Sequence, residues 1–271
     1  MKDKIILITG STDGIGKQTA LDLARIGAKI IIHGRNNLKA RTTKEEIAGQ
    51  TGNENLDFAG ADLGSLEEIR IMAGEISEKY ERLDVLINNA GVFMNHRQMT
   101  KDGFETTFAV NHLAHFLLTG LLLDLIKKSD FARIINVASM AHASRIDFSN
   151  LQSEKYFDGY DAYSRSKLCN ILFTYQLASM LEDTHVTANV LHPGVIRTKL
   201  LHAGWGGGGA NLEQGAKTSV FLATSPEVKD VTGKYFSNSR IVGSSAVSYD
   251  IAVQETLWKI SEGMTGFNYF L

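Results

Sequence analysis

Tyr163 and Lys167, in the stretch "DAYSRSKLCNILF", stand four residues apart in a run that otherwise reads as an apolar helix. Positions i and i+4 project from one helix face, so a phenol and an ammonium at this spacing can act on one object. A phenol can exchange a proton with an oxygen on a reacting carbon, but its ordinary pKa of about 10 keeps the phenolate scarce at neutral pH. A neighbouring ammonium favours the phenolate, which gives Lys167 an electrostatic reason to lie one turn from Tyr163. Ser139 closes the β-branched run "RIINVAS", 24 residues before Tyr163, and its hydroxyl could hold a substrate oxygen beside the phenol. Taken singly, each has an ordinary reading too: a surface tyrosine beside a surface lysine, and a serine capping a turn.

A second group of residues lies at the start of the chain. In "ILITGSTDGIGKQTA" three glycines, Gly10, Gly14 and Gly16, separate an apolar strand from a helical pattern. Glycines there let the backbone turn sharply and approach a pyrophosphate, whose charge is favoured by the free N–H groups of the helix N-terminus. The second strand ends "IIIHGRN", with Gly34 where an NAD-selecting protein of this kind holds an acid for the ribose 2′-hydroxyl. Arg35, one residue later, can pair with a 2′-phosphate, so NADP(H) is the expected cofactor; a solvated surface charge is the competing reading. Asp62, in "GADL", could accept from the adenine amino group or cap the next turn. "INNAG", residues 87–91, offers two amides and a glycine to ribose or to backbone. A dinucleotide beside a proton donor suits hydride exchange between a carbonyl and an alcohol.

The elements that must position these groups alternate along the chain. Nearly all-apolar strands ("KIILITG", "AKIIIHG", "RLDVLINNAG", "RIINVAS", "HVTANVLHPG") are separated by helical patterns, among them a long one from about 103 to 127 and one opened by a capping box of Ser65 and Glu68. Strands without polar alternation are expected where helices cover both faces of a parallel sheet. The fold class expected is therefore α/β: one doubly wound Rossmann-type domain over residues 1–271 with a central, mostly parallel sheet. "GWGGGG", residues 204–209, is either an inert surface loop or part of a mobile lid at 200–212, within a substrate loop at 195–213.

Composition narrows the class. Lys and Arg number 28 against 30 Asp and Glu, and no basic stripe stands out, so neither nucleic acid nor an anionic membrane surface is an expected partner. With 44% hydrophobic residues there is material for a large core. The single Cys169 permits no internal disulfide and fits a cytoplasmic location. No signal or anchor is expected at the N-terminus, and "FLLTGLLLDLI" is interrupted and too short to span a bilayer. His112 and His115 lie three apart without an HExxH pattern, and no metal is expected. Phe93, Met94, Met140, Tyr156, Phe157, Leu200, Leu201 and Trp205 either surround an apolar carbonyl or secondary alcohol or simply seal the core.

"TGSTDGIG", "NNAG", Ser139, "YSRSK" and "HPGVIRT", in that order, resemble the short-chain dehydrogenase/reductase family over nearly the whole length. "DGFETTFAVNHLAHFLLTGLLL", "YSRSKLCNILF" and "GKYFSNS" are similar to its retinol-dehydrogenase-like branch, which includes WW-domain oxidoreductases. The resemblance implies that Tyr163 is the acid/base, that Lys167 supports it and binds the nicotinamide ribose, and that Ser139 orients the substrate. Asn111 would bend its helix and hold a water of a proton relay, and Thr198 would touch the nicotinamide carboxamide. It also implies cofactor contacts from Ser11, Thr12 and Ile15 in the glycine loop, from Asn36 and Leu63 beside Arg35 and Asp62, and from Asn88, Ala90 and Gly91. A homodimer or homotetramer is compatible with the family. A dinucleotide-binding sensor without catalysis is the rival reading, although such a protein has no need of the serine, tyrosine and lysine together. Sugar-nucleotide epimerases would need a longer C-terminal domain.

Overall fold

The computed structural model describes residues 1–269. Eight strands form one sheet: β1 (Ile5–Ile8), β2 (Lys29–Gly34), β3 (Leu56–Gly60), β4 (Val85–Asn88), β5 (Arg133–Val137), β6 (Thr187–His192), β7 (Tyr235–Ser237) and β8 (Arg240–Val242), in the order β3-β2-β1-β4-β5-β6-β7-β8. All neighbours are parallel except β7 and β8. The chain winds one way from β1 through β2 to β3 and the other way from β4 onward, so the order reverses between β1 and β4. In such sheets the ligand crevice opens at that switch, at the carboxyl ends of the strands.

The apolar strands are explained by two buried faces. In β1, Ile6 and Ile8 pack on one side with Leu23 of α1 (Gly14–Arg25), Ile47 of α2 (Asn37–Thr51) and Leu222 of α8 (Leu212–Thr224). Leu7 points to the other side, joining Ile69 of α3 (Leu66–Lys79), Phe116 of α5 (Ala114–Lys127) and Phe173 of α6 (Gly159–Met180). With a side-chain period of two and no wet face, every position wants an apolar residue. α3 begins as its capping box predicts, with the Ser65 hydroxyl accepting from the Glu68 N–H at 3.2 Å; the Glu68 carboxylate, however, reaches the Asp62 N–H at 2.8 Å rather than that of Ser65.

The long helix begins at Thr106, not 103, because the buried Glu105 carboxylate accepts from the N–H groups of Thr107 and Phe108 at 2.8 Å each. It runs through α4 (Thr106–Phe108), a π-helical turn (Ala109–Leu113) and α5. The Ala114 N–H bonds the Ala109 carbonyl five residues back, so the turn is wider at Asn111. The apolar run taken as too short to span a bilayer belongs to a 22-residue helix, Thr106–Lys127, that is long and apolar enough to do so; here 83% of its most apolar window is buried in the fold. The C-terminal region adds further regular structure. β7 and β8 form a hairpin whose two turn residues, Asn238 and Ser239, have φ of 50° and 59°, and α9 (Ile251–Thr265) packs Leu257 against Leu168 and Leu172 of α6. Strands of three residues are too short to show a period, which hid this unit in the sequence.

Candidate active site

The glycine loop leaves β1 at the switch point, and each glycine has its own steric reason. Gly10 has φ of +62°, and a Cβ there would meet the Ala90 Cα at 2.9 Å; one at Gly16 would lie 2.4 Å from both the Gly10 carbonyl oxygen and Asn89 Nδ2. Gly14, at φ +54°, starts α1 beside the N-capping Asp13 carboxylate, which accepts its N–H at 2.8 Å. The loop is thus a cradle of bare backbone at a helix N-terminus, the chemistry a pyrophosphate needs. His33, which sequence reasoning did not single out, holds it from below: its Nδ1 accepts the Gly10 N–H at 3.0 Å, while Nε2 donates to the Ala61 carbonyl at 3.1 Å. That pattern requires neutral imidazole, and burial lowers the His33 pKa to about 4. The Ser11 hydroxyl is not offered to the cleft. It is buried, donating to the Ile8 carbonyl at 2.8 Å and accepting the His33 N–H at 2.9 Å.

His33 carries a prediction about acid. Its folded pKa lies below the unfolded value of 6.5, so the unfolded chain takes up the proton first as pH falls. Burial also lowers His192 to about 4, and the two act in the same window. Stability should be full above pH 6.5 and fall progressively toward pH 4, measured as the urea midpoint; His33→Asn should flatten part of that slope. An unchanged midpoint across the window would contradict the buried neutral assignment.

At the far end of the groove, Gly34 has a packing reason to be glycine: a Cβ would meet the Thr12 methyl at 2.7 Å and Ala40 Cβ at 3.4 Å. The missing acid therefore does not by itself report cofactor choice. Arg35 is exposed, and Asn36 caps α2 by accepting the Lys39 N–H at 3.0 Å. Asp62 serves the turn: one carboxylate oxygen accepts the Gly64 N–H at 2.9 Å. Leu63 is in the core with α3, so its side chain does not face the groove.

The β4 end divides its residues between core and cleft. Asn88 is turned inward, donating to Asn136 at 2.8 Å and Thr119 at 2.9 Å, so its side chain ties β4 to β5 and α5 instead of reaching a cofactor. Asn89 is the amide that serves the loop, donating to the Thr9 carbonyl at 2.8 Å, and the Thr9 hydroxyl accepts the N–H groups of Asn89 and Ala90 at 2.9 and 3.0 Å. Ala90 abuts Gly10, and a Cβ on Gly91 would lie 3.4 Å from Lys167 Nζ. Asn111, in the π turn, grips Val92 twice: Oδ1 accepts its N–H at 2.8 Å and Nδ2 donates to its carbonyl at 3.0 Å. Nδ2 also donates to Ser166 at 2.9 Å, so the amide positions the loop after β4 and is not held open for water.

Tyr163, Lys167 and Ser139 meet beyond that loop. Ser139 follows β5, and α6 brings Tyr163 and Lys167 over the strand end; all of Tyr163 but 6% of its surface is buried. Lys167 Nζ lies 5.6 Å from the Tyr163 ring centroid and donates to the Val137 carbonyl at 2.9 Å. In the protein alone the phenol pKa lies above its ordinary value. Burial pushes Tyr163 up to about 12, with the Ser139 hydroxyl opposing the rise, and burial likewise lowers Lys167 to about 8. Desolvation penalises both charged forms more than either helps the other. Two imidazoles frame Ser139: His142 Nδ1 donates to its carbonyl at 2.7 Å, and His192 Nδ1 accepts the following N–H, that of Met140, at 3.0 Å.

Residues 195–210 form a flap rather than an unstructured loop. Ala210 N–H donates to Val195 O at 2.8 Å and Arg197 N–H to Ala210 O at 2.9 Å, closing its base. α7 (Lys199–Trp205) rises from it, N-capped by Thr198, whose hydroxyl accepts the Leu201 N–H at 3.1 Å. The glycine run has a geometric role, since Gly206, Gly207, Gly208 and Gly209 all have positive φ and return the chain to the base. Trp205 meets Tyr163 edge-on at 5.4 Å and Phe93 at 5.3 Å, so the flap covers the phenol. Lys199 pairs with Asp13 at 2.5 Å across the groove, an exposed contact of small energy. The Thr198 methyl lies 3.7 Å from where a Cβ on Gly14 would be, and Ile15 packs against Gly215 of α8.

Known proteins share this fold. Residues 4–205 match the short chain dehydrogenase family. The chain is 43% identical to retinol dehydrogenase 14 of Mus musculus over 98% of its own length and 87% of that protein. Among solved structures, an uncharacterized protein from Mycobacterium paratuberculosis superposes with a TM-score of 0.82 at 29% identity, covering 99% of this chain and 96% of that one. A short chain dehydrogenase of Shigella flexneri complexed with NADP gives 0.71 at 26% identity, with coverage of 89% and 98%. With the glycine cradle at the switch point and Ser139, Tyr163 and Lys167 gathered beside it, these likenesses make the chain a short-chain dehydrogenase/reductase of the retinol-dehydrogenase-like branch.

Proposed function

We propose that the protein is an NADP(H)-dependent oxidoreductase interconverting a carbonyl and an alcohol on a small or lipophilic substrate, with Tyr163 as the acid/base. The observation that carries this is the convergence of Ser139, Tyr163 and Lys167 at the end of β5, beside a glycine cradle that fits a dinucleotide. When bound, the nicotinamide supplies or accepts the hydride. The protein's own residues handle the oxygen. Ser139 donates to it and holds it against the phenol, whose proton completes the alcohol. A phenol held protonated by burial suits reduction at neutral pH; the reverse direction needs the phenolate and should gain as pH rises. Lys167, anchored on Val137, adjacent to Gly91 and 5.6 Å from the Tyr163 ring centroid, would hold a ribose hydroxyl of the cofactor. Trp205 and Phe93 keep water from the phenol.

NADP(H) preference is supported by the exposed guanidinium of Arg35 at the groove end and by the NADP held in the Shigella flexneri relative. Fluorescence titration should show tighter binding of NADPH than of NADH. Arg35→Ala should weaken NADPH by roughly 10- to 150-fold, the equivalent of about 1.5 to 3 kcal/mol for a charge-assisted hydrogen bond, and leave NADH nearly unchanged. Equal affinity for the two cofactors in the native protein would refute the preference, and a carbonyl panel with NADPH tests the reaction itself.

A further inference from the structure

A cavity of about 530 Å³ opens beside the base of the flap, between the ends of β6 and β7 and the segment that follows β5. Met140, Val195 and Val242 form its apolar rim, with the exposure of Met140 reaching 63%. Its polar wall is made of His142, His192, Gln214, Tyr235, Ser237 and Asn238. Among the described residues lining it there is no Asp, Glu, Lys or Arg. Each histidine has a ring nitrogen occupied by a backbone N–H. His192 Nδ1 accepts the Met140 N–H, and His142 Nε2 accepts the Ser245 N–H at 3.1 Å while Nδ1 donates to Ser139. A lining of this size and neutrality suits an uncharged organic molecule.

Tyr235 is the anomaly. It is 97% buried by its 3% exposure, its ring stands edge-on to His142 at 5.5 Å, and its hydroxyl has no hydrogen-bond partner. Buried phenols of native proteins are nearly always paired, so an orphan beside a cavity points to a partner that arrives from the cavity. The cavity also adjoins the reacting end. Met140, on its rim, is the residue after Ser139.

We propose that this cavity receives the body of an uncharged substrate and that the Tyr235 hydroxyl is a specificity determinant, hydrogen-bonding a second polar group remote from the reacting carbonyl. The proposal rests on the reading of Tyr163 as the acid/base only for which end of the substrate faces Ser139. Tyr163 and Tyr235 then read the two ends of one molecule, and a site built to bond a hydroxyl discriminates strongly against the analogue that lacks it.

The test is isothermal titration of the full chain, alone and with NADP⁺, with three probes: phenylcyclohexanone, its para-hydroxyl derivative and its para-carboxylate. The hydroxyl ketone should bind at least about 10-fold tighter than the parent, and the carboxylate should bind weakest. Tyr235→Phe should erase the preference for the hydroxyl ketone, leave the parent within about twofold and keep the melting temperature, because the removed hydroxyl has no partner in the protein. A preference that survives Tyr235→Phe, an equal loss for both ketones, or a clear drop in melting temperature would overturn the proposal, as would failure of the hydroxyl ketone to bind. Binding with this pattern but no turnover with NADPH supports the cavity assignment and breaks the proposed reaction, so the two readings fail separately.

Discussion

Tyr163→Phe should lower carbonyl reduction by at least about 100-fold, the usual loss when a general acid is removed, while NADPH binds as it does to the native protein. The ring is what packs: it meets Phe93 at 5.8 Å and Trp205 at 5.4 Å, and phenylalanine keeps both contacts. Only the hydroxyl goes, and burial has already raised that group to about 12, so at neutral pH it is a proton donor and not a structural charge. Steady-state rates with a carbonyl the native protein reduces, together with NADPH titration by fluorescence, separate the two effects. Native turnover in the variant would mean that another group protonates the oxygen.

Gly16→Ala should be almost as damaging, by a different route. A methyl there falls 2.4 Å from the Gly10 carbonyl oxygen and from Asn89 Nδ2, and neither is the free end of a flexible chain, since Asn89 is bonded to the Thr9 carbonyl. The glycine loop must shift, and NADPH affinity should drop by about 100-fold or more, with a stability loss on the order of 2 to 4 kcal/mol. Gly49→Ala is the matched control. It lies exposed in α2 with nothing within 4 Å of the added methyl, so the same substitution should stabilise by about 0.5 to 1 kcal/mol and leave cofactor binding unchanged. Thermal melts and titration of both variants check the contrast, and equal NADPH affinity for Gly16→Ala and the native protein would refute the cradle's tightness.

Residues that act through short sequence spacing were legible without a structure. Tyr163 and Lys167 share a face because helix geometry alone puts i beside i+4, and Gly10, Gly14 and Gly16 mark a strand-to-helix turn because only glycine serves there. The doubly wound class followed from strands apolar at every position. Side chains whose partners are far away in sequence were another matter. His33 reaching Gly10, His192 reaching Met140 and Asn111 reaching Val92 are contacts over 23, 52 and 19 residues, and no local pattern encodes them. Direction was equally hidden: Ser11, Leu63 and Asn88 sit in the right motifs but turn inward, because the sheet and its core needed their groups first. The sequence by itself determined which chemical groups the chain owns and the order of its elements, both set by local periodicity and backbone sterics. Only the tertiary structure decided the protonation of Tyr163 and Lys167, since the balance between desolvation and attraction depends on how deeply the assembled fold buries them, and adjacent positions on a helix cannot report that depth.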